Sequence, residues 1–292
     1  YHYYGGIQPM FETLDKAKPG FLLMPDKGLS ISWYVSICLT IALGQYMWPH
    51  CFGASLSSKS ETALRKNTAI LPLYQIVLVF ILFIGFTAVL QIPNLEGTAS
   101  DLALFKIAKA TLPPWFIGVI GAAGLLAALI PCSLLILTAS TLLSKNIFKH
   151  FKPNTSDQKL AKLTRIFVPI IALISLFFTF YGGNTMIALL TMAYSFVLQL
   201  FPPLAFSLLK KNPVSKFGAS AGMIVGVAIV AYQTLEGTTM ATMFPSAPHF
   251  IQDLDIGVVA ITVNTVIMLA FSLFTKKVSV IQEDHISQAS NL

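Results

Sequence analysis

Charge is what this chain has least of. Only 11% of its 292 residues are Asp, Glu, Lys or Arg, against about 25% in an ordinary soluble domain. None of them falls within residues 28–58, 67–95, 110–144, 166–209, 217–235 or 256–275. Hydrophobic residues make up 55% of the chain, and its mean hydropathy is +0.74. A water-soluble fold of this length would have no way to bury so much apolar surface, so lipid is the implied solvent. Cysteine is also scarce. Cys38, Cys51 and Cys132 lie in or beside the bilayer windows, which excludes a secreted disulfide framework and leaves them as small packing residues. The windows lack paired carboxylates and zinc trios as well, which argues against a membrane enzyme. They hold no charge, and the last window has no lysine for a retinal. A seven-helix receptor is therefore kept only as the alternative.

What the windows do contain is membrane-length helix. A span needs about 20 apolar residues. The window 166–209 is long enough for two, and Gly182-Gly183-Asn184 breaks it with residues that tolerate positive φ. Seven spans are expected, near 30–52, 69–91, 115–142, 164–181, 185–209, 216–235 and 256–275. Each must satisfy its backbone internally, so the fold class is an all-α integral membrane protein.

The basic residues set the orientation. One side collects Lys59, Arg65, Lys66, Lys145, Lys149, Lys152, Lys159, Lys162, Arg165, Lys210, Lys211, Lys216, Lys276 and Lys277, which is 14 of the 19 lysines and arginines. The other side holds the remaining five, together with Glu12, Asp15, Asp26, Glu96, Asp101, Glu236, Asp253 and Asp255. The basic side is expected in the cytoplasm of a multi-pass cell-membrane protein, with the amino terminus outside. Lipid headgroups and topology account for the net charge of +7, so nucleic acid is not an expected partner. The first residues, YHYYGGIQPM, offer no basic stretch followed by a short apolar segment of a signal peptide. The expectation is that further helices precede them.

One stretch carries more chemistry than a membrane anchor needs: LGQYMWPHCFG, residues 43–53. Thr40, Gly44 and Trp48 recur four residues apart and share a helix face, with Gln45 beside them. Pro49 lacks an amide, and its ring clashes with the carbonyl of Gln45. Gly44 and Pro49 thus bracket a place where a helix can open, and broken helices at membrane depth line cavities or substrate sites. Trp48, Pro49 and His50 are candidates for a hinge and cytoplasmic gate, with His50 either pH-responsive or resting against headgroups.

The pattern Gly44-Gln45-x-x-Trp48-Pro49-His50, followed by Arg65-Lys66-Asn67 and Leu71-Pro72-x-Tyr74, resembles the sodium/solute symporter family, in the branch containing monocarboxylate permeases. A second match runs from Ala127-Ala128-Leu129-Ile130-Pro131 through SLLILTASTLLSKNIFK. It is similar to the family's Ala-Ala-x-Met-Ser-Thr helix. The resemblance implies a leucine-transporter-like fold of two inverted five-helix repeats. Residues 30–209 would be the second repeat, 210–275 two peripheral helices, 1–29 an extracellular loop and 276–292 a cytoplasmic tail. It also implies alternating-access symport of a small solute, a monocarboxylate by branch, driven by an ion and without another cofactor. Gln45 matches the family's glutamine near the solute, and Gly44 stands where the family has asparagine. Pro131 and Cys132 fall where it has two hydroxyl ligands for sodium. That leaves Ser133 with the carbonyls of Ala127 and Ile130 as the sodium candidates, and keeps proton coupling or facilitated movement open. Oligomeric state is not legible.

Polar residues elsewhere in the spans are fewer. Tyr194, Ser195 and Gln199 lie on one broad face ahead of Pro202-Pro203. Tyr194 and Gln199 are solute or gate candidates, Gln199 alternatively an interhelical bond. Asn264 suits helix packing, as does the stripe Gly218, Gly222, Gly226. Residues 101–111 are expected as an amphipathic helix over the outer vestibule, ended by Pro113-Pro114, and VSVIQEDHISQASNL as a disordered tail.

Overall fold

In the computed structural model, residues 2–181 and 185–275 are described. The expected turn at 182–184 and the tail beyond 275 lie outside them. The described residues are helical with no strand. Among the described residues, six helices are long and apolar enough to cross a membrane: Glu61–Gln91, Pro114–Phe151, Asp157–Tyr181, Met186–Ser207, Lys216–Glu236 and Ile256–Phe274. A shorter apolar helix, Ile31–Met47, occupies the first expected span. The chain divides into two compact units, one of Tyr1–Met24 and Trp48–Leu190, the other of Pro25–Met47 and Thr191–Leu292.

The first unit begins with α1 (Ile7–Ala17), in a segment expected only as loop. Met10 and Leu14, four residues apart, are buried. They dictate one apolar face, and the Thr87 hydroxyl lies 3.3 Å from the Met10 sulfur. The next helix in the chain, α2 (Ile31–Gly44), belongs to the second unit. Next come α3 (Pro49–Leu56), α4 (Glu61–Gln75) and α5 (Val77–Gln91). The span containing α4 starts well before residue 69 because Ser60 caps it, accepting the Ala63 amide at 3.1 Å. A short helix, α6 (Ala103–Thr111), buries Ile107 and Ala108 and packs on α5. Then α7 (Pro114–Leu142) passes into a π-helical turn at Leu143–Phe148. There Ser144 and Thr164, the latter on α8 (Asp157–Tyr181), are buried and share a hydrogen bond of 2.5 Å. Each hydroxyl also lies within reach of a carbonyl of its own helix, so whichever accepts in the pair can donate there. This is how polar side chains join helices where water is absent. Large apolar side chains such as Leu126, Ile130 and Phe177 stay exposed, surface that a bilayer covers without cost.

The second unit contains α2 (Ile31–Gly44) and the residues from Thr191 onward of α9 (Met186–Val197). It continues with α10 (Phe201–Ser207), α11 (Lys216–Glu236) and α12 (Ile256–Phe274). Ser215 caps α11 by accepting the Gly218 amide. Gly237 ends it in the left-handed region at φ 62°, a conformation that costs glycine little. The pair α11–α12 is joined along the glycine stripe. A methyl group on Gly222 would sit 2.6 Å from the Asn264 carbonyl oxygen, and one on Gly218 or Gly226 would collide with Ser272 or Gln199. Only glycine lets these backbones approach so closely.

Gly222→Ala is therefore expected to lower the thermal unfolding midpoint of the purified protein in detergent, by overpacking worth about 1–3 kcal/mol. Gly118→Ala, in α7 where a methyl meets nothing within 4 Å, should leave the midpoint unchanged or raise it slightly. Equal effects from the two would show that the contact along the stripe is not tight.

Candidate functional site

The residues expected from the sequence to contact solute, Thr40, Gly44, Gln45, Tyr194 and Gln199, all fall in the second unit. At the end of α2 the helix tightens into a 3-10 turn at Gln45–Met47. Gly44 is buried, and a methyl there would lie 3.1 Å from the Tyr194 ring. The small residue thus admits the aromatic ring of α9 against the backbone. The Tyr194 hydroxyl donates to Gln45 Oε1 at 2.7 Å. Gly44, Gln45 and Tyr194 are in this way brought together. Gln45 remains half-buried, with an amide able to donate as well as accept.

Thr40 and Gln199 have different surroundings. Thr40 is fully buried and its hydroxyl donates to Asp255 Oδ1 at 2.6 Å. Gln199 is fully buried too. Its Nε2 donates to the Ser195 carbonyl at 3.0 Å. Its own carbonyl and Oε1 accept from Asn264 Nδ2 at 2.9 and 3.1 Å. Gln199 thus bonds the neighbouring helix α12, the alternative that its sequence position left open.

Asp255 is the residue that sequence reasoning missed. It lies one position before the uncharged window of α12 and reads as an outer-loop charge. The available signal was an aspartate immediately ahead of an apolar run, which is an N-cap pattern. It caps α12 by accepting the Gly257 amide at 2.9 Å, and its own amide donates to Ser36 Oγ at 2.8 Å. Burial pushes its carboxyl above the ordinary aspartate value, opposed by the Thr40 hydroxyl and by the Gly257 and Val258 amides.

The gate and ion candidates belong to the first unit. Trp48 has extended backbone, φ −66° and ψ 132°, as a residue before proline must. Pro49 then starts α3 at a position where a missing amide is no loss. The Trp48 and His50 rings lie 5.9 Å apart. Pro131 sits inside α7, which continues through it. Ser133 donates its hydroxyl to the Ile130 carbonyl at 2.9 Å. Ala127, Ile130 and Ser133 are all exposed, and Pro131 has no amide to give the Ala127 carbonyl. No cluster of three His, Cys, Asp or Glu occurs among the described residues.

Over 276 residues the chain is 52% identical to an uncharacterised symporter, YhjB, of Bacillus subtilis, covering 94% of this chain and 56% of that protein. It is 28% identical over 230 residues to a monocarboxylate transport permease protein of Rhizobium johnstonii, covering 76% and 45%. With a sodium/proline symporter of Salmonella typhimurium it shares 24% identity over 235 residues, covering 77% and 47%. The chain spans about half the length of these curated relatives. The Sodium:solute symporter family matches residues 1–226, and the chain belongs to that family.

Proposed function

We propose that this chain carries the second repeat of an ion-coupled symporter, residues 30–209, with α11 and α12 peripheral to it and the solute bound at the end of α2. The observation that carries this reading is the Gly44-Gln45 pair facing Tyr194 immediately before the helix stops. A 3-10 turn and an extended Trp48 leave backbone groups outside the regular helical ladder, and in a membrane such groups belong at a cavity. Gln45 supplies the polar recognition, Tyr194 orients its amide, and Trp48-Pro49-His50 form the hinge and gate on the cytoplasmic side. The solute is a small monocarboxylate, a reading supported by the Pro-His motif and by the permease among the relatives. The uncharged windows within the spans offer it no basic partner, so amides at half-helix termini must meet its charge.

Sodium is the coupling ion favoured by family membership. Ser133 and the carbonyls of Ala127 and Ile130 supply the hard oxygens it prefers. Proton coupling is the second reading, favoured because Pro131 and Cys132 replace hydroxyls. Sodium-dependent uptake that survives a protonophore supports the first; the opposite pattern supports the second.

In the full-length protein, Gln45→Leu is expected to abolish saturable uptake with normal membrane abundance. Tyr194→Phe should raise KM about five-fold, the worth of one net hydrogen bond. Pro49→Ala should lower turnover more than affinity. Normal transport by Gln45→Leu would remove the glutamine from the site. Uptake of labelled solute should be competed by lactate, pyruvate or acetate; competition by proline or sugars alone would overturn the solute class. For orientation, the three native cysteines are replaced. Ser156→Cys should then react with an impermeant maleimide only in permeabilised cells, and Thr98→Cys in intact ones. The reverse would invert the topology.

A further inference from the structure

The residues at the amino-terminal end of α12 hold α2 at two points and the segment before it at a third. The Gly28 amide donates to Asp253 Oδ1 at 2.9 Å, the Asp255 amide donates to Ser36 Oγ at 2.8 Å, and the Thr40 hydroxyl donates to Asp255 Oδ1 at 2.6 Å. Ser36, Thr40 and Gly44 stand four residues apart, so the face anchored by Asp255 is the face that meets Tyr194 one turn later. The close approach at Gly257 is an independent sign of the same junction. A methyl group there would lie 2.9 Å from Thr40 Cγ2 and 3.0 Å from Ser195 Oγ. Helices α2, α9 and α12 therefore converge where no side chain fits.

We infer that Asp255 is a positioning residue for transport: by holding Thr40 it fixes the rotation and height of the last turn of α2, and so presents Gln45 to Tyr194 and the solute. The inference rests on the reading of Gln45 as a solute residue. The groups bonded to the Asp255 carboxylate are the Thr40 hydroxyl and the Gly257 amide. What this junction uses is an acceptor rather than a negative charge. The role given to α12 goes beyond packing: a helix outside the repeat sets the geometry of a helix inside it.

Four variants of the full-length protein separate this from simple helix capping. Serine caps helices well but is too short to keep the bond to Thr40, so Asp255→Ser preserves the cap and breaks the hold. Thr40→Val breaks the same bond from the other side with little change in volume, and Thr40→Ser restores it. Asp255→Asn keeps both cap and acceptor. Uptake kinetics are measured in membrane vesicles and normalised to transporter abundance. Asp255→Ser and Thr40→Val should each raise KM about five-fold, the worth of one net hydrogen bond. The double variant should be no worse than either, as expected for partners in one interaction. Thr40→Ser and Asp255→Asn should stay within about two-fold of the parent, since each keeps the bond.

Unchanged KM in Thr40→Val, or additive effects in the double variant, overturns the inference. So does loss of transport in Asp255→Asn with normal Thr40→Val, which would make the charge itself the working group. If Asp255→Ser fails to reach the membrane, Thr40→Val with its serine rescue decides alone. Gln45→Leu in the same assay tests the underlying site: normal uptake there defeats the site reading. Loss there, with normal Thr40→Val, defeats only the positioning role.

Discussion

Within lipid, a backbone amide or carbonyl has no water to fall back on, and that constraint organises this protein. Among the described residues, six long apolar helices meet it with intrahelical hydrogen bonds over most of their length. Proline at position 49 prevents the first apolar helix from doing the same. The chain answers by tightening into a 3-10 turn, extending at Trp48 and starting a new helix at Pro49. A break of this kind is tolerated only where something polar is close by. At its near edge stand Gln45 and the tyrosine hydroxyl that binds it.

The same constraint explains why polar side chains inside the spans come in bonded sets. Ser144 with Thr164 joins the π-helical turn after α7 to α8, and Gln199 with Asn264 joins the 3-10 turn after α9 to α12. Thr40 with Asp255 joins α2 to α12. Apolar packing between helices gains little when the surrounding lipid is equally apolar, so close backbone contact and a few hydrogen bonds specify who neighbours whom. Glycines at 218, 222 and 226 provide the contact, and the amides and hydroxyls provide the register. Gln45, the solute contact proposed above, stands in an arrangement that is already polar, with the Tyr194 hydroxyl bound to its amide oxygen.

Fold class and span positions were legible because they follow from a local quantity, the run of residues without charge. The break at Pro49 was legible for a similar reason, since a ring without an amide acts on its own helix. Helix starts were less so: Ser60 carried α4 several residues beyond its apolar run, and a helix formed at Ile7–Ala17 where only a loop was expected. Thr40 and Gln199 were legible as polar residues on shared faces. Their partners were not, because a hydroxyl or amide inside a span satisfies either a solute or a neighbouring helix with equal chemistry.

The sequence by itself determined that this is a bundle of membrane helices, with one helix interrupted beside a glutamine, because burial and proline sterics act within a few turns of chain. Only tertiary structure decided that Tyr194 faces Gln45 and that Asn264 takes Gln199. It also decided that an aspartate just outside the last span reaches Thr40. Those pairs are 149, 65 and 215 residues apart in the chain. No periodicity encodes such separations; they arise when glycine-lined backbones come close enough for particular donors to find particular acceptors.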